Sequence, residues 1–515
     1  MRLYSRYFNG MGQDRNVTDK ERRLFDRILK YTGVFGGVYG FTMLVTILTN
    51  KVKSLLLGPM SYGITESLNR STDLIKNSTN LGIATVSVPE ISESARLQDA
   101  ARLESKVLLT RSWALLTAIA GMAVCFVLAP LLNRWAFGFD GRYTLGFMVL
   151  SLSVAAAAVM GGETAVLRGA GMLREIAMSQ LFTGIISLCI SAPLYWYFRM
   201  DGIVPALALV AVGSMAVTCC YSFRRFPYRV CPFRWSLLRQ GTGMIGMGVY
   251  YTVVAFLSAW AWSYIAKFLM DRGGSELTGV YSAGYMLVTY FTKLLLSVMD
   301  SEYYPRLSAS GNNMKEAGRI MNNQSLAMCM LSAPLVIMFI LLAPVAVYIT
   351  LEYEKFHMSI VLAQLAVVGL FFKCVSQPIA YILLARSDAK MYLVQETLCY
   401  ILLIVCAVTG FNLGGLTGLG ASFAVWELLY LLLSVTVCGL RYGFCMVWEL
   451  VRNFLIQGLL VAAASVCVVW CGTPGFVAAG VLCLASVAFS LLFFINNTTF
   501  LPSLFSKISG KIISR

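Results

Sequence analysis

The sequence predicts an all-α polytopic membrane protein with about fourteen transmembrane helices, and three observations support this fold class. Of the 515 residues, 58% are hydrophobic and only 13% are charged, whereas soluble proteins carry about 25% charged residues. The apolar residues form runs near 20 residues, the length that spans a hydrocarbon core of about 30 Å. Basic residues concentrate in alternate connections between these runs. These features exclude an ordinary soluble enzyme.

The apolar runs and the basic residues together predict the topology. With the N-terminal segment inside, 29 Lys and Arg fall on the inner side and seven in the outer loops. This bias predicts an even number of spans with both termini in the cytoplasm. The predicted spans are 31–50, 63–88, 109–131, 145–167, 176–197, 202–221, 241–268, 278–301, 325–350, 359–384, 391–410, 415–438, 453–471 and 476–495.

Composition excludes several other kinds of partner and site. The net charge of +16 is spread along the chain rather than grouped in a polar module, so anionic lipid headgroups explain it better than nucleic acid. The cysteines are scattered singly through apolar runs except for the adjacent Cys219 and Cys220, and His357 is the only histidine. We therefore expect no metal site and no catalysis based on histidine. The first 30 residues are too polar for a signal peptide.

The two halves of the chain resemble each other. Lys53 and Pro89 bracket one polar helix, Lys267 and Pro305 bracket another, and the separations are 36 and 38 residues. Six spans per half give both halves the same orientation, which predicts a parallel repeat. The predicted units are an N-terminal tail (1–29), an N-lobe (30–222), a basic inter-lobe loop (223–240), a C-lobe (241–441), two extra helices (442–496) and a C-terminal tail (497–515).

The second span carries a continuous polar stripe. Its members recur at spacings of four, three, four and three residues, which places them on one helix face with Lys76 beside it; they are Glu66, Arg70, Asp73, Asn77 and Asn80. A charged stripe facing acyl chains costs a few kcal/mol per charge, so we expect it to line a water-filled cavity or an interface between lobes. A surface amphipathic helix and a structural Arg70–Asp73 pair are the alternatives.

Isolated charges also occur deep in other spans. Lys267, Lys293 and Lys373 are candidates to line a basic cavity suited to a polyanion such as a diphosphate. Alternatively, Lys267 extends to the outer interface, Lys293 pairs with Asp300, and Lys373 is neutral or satisfied by backbone groups.

Acidic residues in the spans are candidates for coupling transport to H⁺ or Na⁺, because burial raises the pKa of a carboxyl group. The candidates for ion coupling are Glu66, Asp73, Glu163 and Asp300, and Glu302, Glu396 and Glu427 are further buried acids. For Glu163, a structural hydrogen bond to neighbouring backbone is the alternative. The eighth span adds Tyr281, Tyr285 and Thr289 above Lys293, and aromatic rings beside hydroxyls suit contact with sugars. Tyr281 alternatively belongs to the interfacial aromatic belt.

Four segments carry a resemblance to a known family. They are YTGVFGGVYGFTMLVTILTNKVKSLLLGP (31–59), STDLIKNSTNLGI (71–83), VPEISE (88–93) and YYPRLS (303–308). With the duplicated spans, the chain resembles the polysaccharide-exporting branch of the MOP flippase superfamily. This branch comprises Wzx-type oligosaccharide flippases, which are related to MATE transporters and the lipid II flippase.

The resemblance implies two six-helix lobes around a central cavity lined by helices one, two, seven and eight. It also implies transport of an undecaprenyl-diphosphate-linked oligosaccharide from the cytoplasmic to the periplasmic leaflet of the inner membrane by alternating access. The glycan would be an O-antigen, capsule or exopolysaccharide repeat unit, and a polysaccharide polymerase and a chain-length regulator would be partners. Residues assigned to substrate binding are Arg70, Lys76, Asn77, Asn80, Tyr285, Thr289, Lys293 and Lys373, with Lys53 and Lys267 as weaker candidates at the outer mouth.

Two other functions remain as alternatives. A MATE-like antiporter for small organic cations would require a net acidic cavity, whereas the predicted cavity is basic. A membrane enzyme such as a polymerase or O-antigen ligase would be expected to have a large periplasmic loop, and the predicted outer loops are short. We therefore expect a transporter without a cofactor, apart from H⁺ or Na⁺ as a coupling ion.

Overall fold

The protein is helical throughout the part described by the computed structural model, which covers residues 15–97, 99–138, 141–227, 242–298, 303–310, 313–386 and 388–497. No strand occurs within these ranges. In chain order the α-helices are α1 (Arg15–Thr79), α2 (Ile83–Arg96), α3 (Ala100–Val127), α4 (Ala129–Phe137), α5 (Thr144–Gly169), α6 (Leu173–Phe198), α7 (Ile203–Phe223), α8 (Thr242–Val298), α9 (Tyr304–Ala309), α10 (Met314–Thr350), α11 (Tyr353–Phe356), α12 (Met358–Ala385), α13 (Ala389–Tyr442), α14 (Trp448–Trp470) and α15 (Gly472–Asn497).

Glycines break the three longest helices. α1 breaks at Gly58 (φ 69°), α8 at Gly274 (φ 67°) and α13 at Gly415 (φ 57°). A side chain with a Cβ is strained at these positive φ values, so glycine sets where each helix bends. The breaks in α1 and α8 lie five residues after Lys53 and seven after Lys267. They therefore follow the repeat with the same two-residue insertion that separates the two halves in sequence.

The predicted second span, 63–88, is wrong as one continuous helix. α1 ends at Thr79 and α2 begins at Ile83, because Leu81 (φ 49°) and Gly82 (φ 62°) both adopt left-handed backbone. Residue polarity and spacing do not indicate a positive φ at a leucine. The sequence pattern therefore predicted a continuous helix across residues 80–82. Asn80 consequently lies outside the helix that carries the rest of the polar stripe.

Nine helical stretches of the described residues are long and apolar enough to cross a membrane. Three of these stretches contain 50, 46 and 54 residues, more than twice the length that one crossing requires. The protein is thus a multi-pass membrane protein, and fourteen crossings stay a prediction. The predicted tail at 497–515 lies outside the described residues beyond Asn497.

Buried apolar side chains form separate cores in the two halves. One core lies between Ile64 and Ala206, and a larger one lies between Ala261 and Ala479. In the first half α5 packs on α3 and α7, and in the second half α12 packs on α10 and α13. The two halves meet where α1 packs against α8. The last two helices, α14 and α15, pack against α10.

Candidate functional site

Arg70 on α1 connects the two halves. Its Nε lies 2.6 Å from Glu66 Oε1, one helical turn away, and its guanidinium lies 5.4 Å from the centre of the Trp262 ring on α8. Both side chains of the ion pair are about one quarter exposed, at 27% for Arg70 and 20% for Glu66. A cation over an indole ring is attracted by the electron density of the ring face. The polar stripe therefore faces the second half rather than lipid at this point.

Trp262 belongs to a cluster of five aromatic rings, which we call the aromatic cluster. Its members are Trp262 and two tyrosines of α8, with two residues of α13: Trp262, Tyr281, Tyr285, Phe423 and Trp426. The Trp262 ring centre lies 4.8 Å from that of Tyr285 and 6.0 Å from that of Trp426. Tyr281 is buried, and its hydroxyl has no hydrogen-bond partner among the described residues. A buried hydroxyl without a partner is costly in a folded protein.

Lys373 on α12 lies at the other end of the aromatic cluster. Its Nζ is 2.8 Å from Glu427 Oε1 and 5.5 Å from the centre of the Trp426 ring. The Lys373 side chain is 29% exposed, whereas the Glu427 side chain is only 7% exposed. Behind this pair, the Tyr430 hydroxyl donates a 2.7 Å hydrogen bond to Glu396 Oε1. The cluster is thus a wall of rings with a paired cation at each end.

The expected surplus of positive charge is not what the structure shows at these positions. Arg70 pairs with Glu66 rather than with Asp73, and Lys373 pairs with Glu427. Both partners were open to Arg70 on sequence grounds, because residues three and four positions apart share a helix face. Each of these two ion pairs is therefore neutral with its carboxylate ionised, and both cations are already paired with anions.

The remaining stripe residues lie farther along α1. Lys76 Nζ contacts Asp73 Oδ1 at 3.1 Å, so this second pair is also neutral. Asn77 is half-buried on the same helix, and Asn80 is half-buried in the break that follows it. The structure does not bring Lys76, Asn77 or Asn80 into contact with the aromatic cluster.

Along α8 the predicted residues take different positions. Thr289 Oγ1 donates to the backbone carbonyl of Tyr285 at 2.9 Å, which is an ordinary bond within a helix. Lys293 is exposed and makes no ion pair with a described residue. Asp300, its expected partner, lies outside the described residues, as does Glu302.

The two weaker lysine candidates are both in contact with aromatic rings. Lys53 is buried with its Nζ 4.1 Å from the centre of the Tyr62 ring. Lys267 pairs with Asp271 at 2.6 Å and shares a small cleft with Arg70, Trp135 and Ser263. Lys267 thus lies nearer to Arg70 than a position at the outer mouth predicts.

Glu163 lies away from this site, inside the first half. Its two carboxylate oxygens accept hydrogen bonds from Arg111 at 2.8 and 3.0 Å, and both side chains are 2% exposed. Arg111 also donates to the backbone carbonyls of Phe226 and Pro227. The side-chain pair replaces the backbone hydrogen bond considered for Glu163, and it fixes the end of the segment that leads out of α7.

Sequence reasoning missed Trp262, Phe423 and Trp426, which hold the site together. Aromatic residues in an apolar span fit a hydrophobic core equally well, so each one alone gave no signal. The sequence did place Trp426 beside a buried acid, Glu427, and Trp262 in the aromatic run AWAWSY. Those two juxtapositions were the available signals.

Glycine contacts close the interface of the two halves on both sides of this site. A Cβ at Gly63 would overlap the carbonyl oxygen of Ser275, and a Cβ at Gly279 would overlap that of Pro59. At the other end, Gly82 lies against the backbone of Gly248. Backbone approaches this close require glycine. The charge bias predicts that the Gly63–Gly279 contact faces outward and the Gly82–Gly248 contact inward.

Comparisons with solved structures show where this fold occurs. The lipid II flippase MurJ in an inward closed conformation is 12% identical, with a TM-score of 0.65 over 90% of this chain and 99% of that chain. An inward-facing multidrug resistance MATE family transporter of the MOP superfamily is 13% identical, with a TM-score of 0.60 over 83% and 94%. A MOP superfamily transporter from Pyrococcus furiosus, described as having a binding pocket of reverse polarity, is 13% identical with a TM-score of 0.58 over 83% and 94%.

One of two sequence comparisons identifies a family for the chain. No curated protein sequence matches the chain. A family model described as "Polysaccharide biosynthesis protein" matches residues 52–359, which is more than half of the chain. The matched region contains Arg70, Trp262, Tyr281 and Tyr285. The chain therefore belongs to the polysaccharide biosynthesis protein family and has the fold of the MOP superfamily.

Proposed function

We propose that the protein is a flippase that moves an undecaprenyl-diphosphate-linked oligosaccharide from the cytoplasmic to the periplasmic leaflet of the inner membrane. The glycan would be a repeat unit for O-antigen, capsule or exopolysaccharide, handed to a polymerase and a chain-length regulator. Both termini would be cytoplasmic. The observation that carries the proposal is the contact of Arg70 with Trp262 across the two halves, beside the unpartnered hydroxyl of Tyr281.

The Arg70 guanidinium supplies the contact to the diphosphate. Arginine binds phosphate oxygens through two parallel hydrogen bonds, and here its present anionic partner is Glu66. A diphosphate arriving at Arg70 would displace the Glu66 carboxylate. The Glu66 carboxylate would then be left without its cation and open to a coupling H⁺ or Na⁺ ion. Exchange of Arg70 between Glu66 and substrate would thus couple transport to that ion.

The aromatic cluster supplies a surface for sugar rings. Trp262 and Tyr285 are half-buried rather than sealed, and aromatic faces pack against the apolar faces of sugars while nearby polar groups bind hydroxyls. The Tyr281 hydroxyl is buried without a partner among the described residues, and it would reach a substrate oxygen when the halves move apart. The ion pair of Lys373 and Glu427 lies beside Trp426 at one end of the aromatic cluster. The prenyl chain would remain in lipid while the halves rock against each other.

The decisive experiment is a leaflet-resolved assay of undecaprenyl-diphosphate-linked oligosaccharide in a deletion strain with downstream polymerisation blocked and no redundant flippase. The wild-type gene should restore the substrate to the periplasmic leaflet. Arg70→Glu should abolish this, Arg70→Lys should lower it at least tenfold because the paired hydrogen bonds are lost, and Trp262→Ala should lower it. Arg452→Glu, an exposed arginine of α14, is the matched control.

An unchanged leaflet distribution on deletion, or full export by a stably expressed Arg70→Glu protein, would remove the proposal. Small organic cations are then the competing substrates. Arg70 and Lys373 are each paired with a carboxylate, so the site repels organic cations less than a basic cavity would. Aromatic faces also attract organic cations. Drug susceptibility of the deletion strain separates the two. Loss of a cation exporter raises susceptibility to cationic drugs, whereas loss of an oligosaccharide flippase leaves it unchanged.

A further inference from the structure

A second cavity lies between the two halves at the predicted outer end. Its volume is about 960 Å³, within the size range of ligand sites. The first half contributes the turn around Gly58 and the side chain of Arg199, and the second half contributes Glu276 with Leu277 and the segment from Glu354 to Met358. We call this cavity the outer vestibule. None of the residues of the aromatic cluster lines it.

The outer vestibule is one residue removed from the aromatic cluster. Val280 lines the vestibule, and Tyr281, the next residue of α8, belongs to the cluster. The glycine contact between Gly63 and Gly279 closes the interface at the same level. Opening this contact would join the two spaces into one path, so a head group leaving the central site would enter the vestibule next.

Two carboxylates of the vestibule are available to a ligand. The carboxylates of Glu276 and Glu354 are exposed and have no ion-pair or hydrogen-bond partner among the residues described. Arg199 and Lys355 also line the cavity, Lys355 with its Nζ paired to Glu352 at 2.9 Å, and His357, the only histidine of the chain, lies beside them. Arg199 is held in place by its left-handed backbone (φ 51°), with its guanidinium near the carbonyl of Leu56.

This lining selects a class of ligand. Lys355 already pairs with Glu352, and the carboxylates of Glu276 and Glu354 face the one remaining cation, Arg199, so a diphosphate does not find the surplus of positive charge that it needs. Sugar hydroxyls both donate and accept hydrogen bonds, as any hydroxyl does, and a mixed set of acceptors and donors satisfies them. An apolar floor at Leu56 and Leu277 suits the carbon faces of sugar rings.

We propose that the outer vestibule is a second binding site, specific for the saccharide part of the substrate and separate from the diphosphate site at Arg70. This proposal rests on the proposed function. The vestibule holds the glycan after the Gly63–Gly279 contact has opened and before the lipid-linked product leaves. Its carboxylates accept hydrogen bonds from sugar hydroxyls, and they make the site sensitive to the hydroxyl pattern of the glycan.

The test uses the full-length protein in nanodiscs and the free oligosaccharide released by mild acid from the cells' own undecaprenyl-diphosphate-linked fraction. Binding is measured by saturation-transfer NMR and titration. The variant Glu276→Gln/Glu354→Gln should bind the free oligosaccharide about tenfold more weakly, because hydrogen bonds to charged groups are replaced by neutral ones. Glu449→Gln, an exposed glutamate of α14, should bind as the wild type does. If the double variant is unstable, Glu276→Gln and Glu354→Gln are measured singly, and each should weaken binding about threefold.

Unchanged affinity in these variants would overturn the proposal, as would a wild-type protein that does not bind the free oligosaccharide. The leaflet assay keeps the two proposals separate. A wild-type protein that does not move lipid-linked oligosaccharide refutes the flippase function itself. A wild-type protein that moves it, with vestibule variants that bind normally, refutes only the second site.

Discussion

Gly63 of α1 and Gly279 of α8 meet backbone to backbone across the two halves. Neither residue has room for a Cβ, because the Cβ would overlap a backbone carbonyl of the opposite helix. The same pair of helices carries Arg70 and Trp262. This contact between the halves therefore lies about two turns from Arg70 along α1. The proposed alternating access would break this contact to open the predicted outer end.

Gly63→Val and Gly279→Val should prevent closure at this contact. The added side chain would overlap a backbone carbonyl, which cannot move aside as a side chain can. Overpacking typically costs about 1–3 kcal/mol, so the closed state should lose about 5-fold to 150-fold in population. Hydrogen exchange should rise in residues 55–62 and 273–280, and transport should fall. Gly480→Val is the control, because no atom lies within 4 Å of a Cβ there. Equal hydrogen exchange in all three variants would contradict a role of the Gly63–Gly279 contact in closure.

Lys51 should act as a second element of the same closure. Its Nζ donates hydrogen bonds to the carbonyls of Tyr348, at 2.7 Å, and Leu351 at the C-terminal end of α10. A cation at a helix C-terminus stabilises by about 0.3–1 kcal/mol and by up to about 2 kcal/mol when partly buried. Lys51→Met should raise hydrogen exchange in residues 345–351, while Lys51→Arg should retain most of the protection. Protection that is the same in Lys51→Met and wild type would show that the contact contributes nothing.

Duplication and the polar stripe predicted two halves and a polar helix face in a cavity or between the lobes, whereas the identity of the lining helices came from the family resemblance. The sequence could not predict the partner of Arg70. Glu66 and Asp73 stand four and three positions away on the same face, and only the side-chain conformation decides between them. Nor could it identify Trp262 as the ring under Arg70, since α1 and α8 are joined by packing rather than by sequence proximity.

The break at residues 80–82 shows a second limit. Hydropathy and the spacing of polar residues indicate which face of a helix is polar. A helix ends, however, where the backbone angles change. Here Leu81 adopts a positive φ beside Gly82, and the close approach of Gly248 occupies the space outside the turn. That packing partner lies far along the chain, so the local pattern carries no trace of it.

The pair of Arg111 and Glu163 should stabilise the first half rather than couple transport. Removing one member of a buried pair leaves an uncompensated charge and costs about 3–5 kcal/mol. Glu163→Gln should therefore lower the thermal unfolding temperature markedly, and Arg111→Met/Glu163→Leu should recover part of the loss. Transport per folded molecule should be unchanged at any pH. A normal unfolding temperature with a shifted pH profile of transport would instead assign Glu163 to ion coupling.

Asp388, in the connection between α12 and α13, should make stability depend on pH in a narrow acidic range. Burial opposes its ionisation, but hydrogen bonds from Arg441, Tyr442 and the backbone of Met391 outweigh this and lower the pKa of Asp388 below its usual 3.8. When folding lowers a carboxyl pKa, the ionised group stabilises the folded protein at pH values above the pKa of the unfolded state. This stabilisation is lost as the pH falls through the pKa of the folded state.

Asp388→Asn keeps the capping oxygen of α13 and removes the charge. It should cost about 0.2–1 kcal/mol at neutral pH, as surface ion pairs do. The difference from wild type in unfolding temperature should vanish below the carboxyl pKa, and a difference that persists there would assign the effect to shape rather than charge.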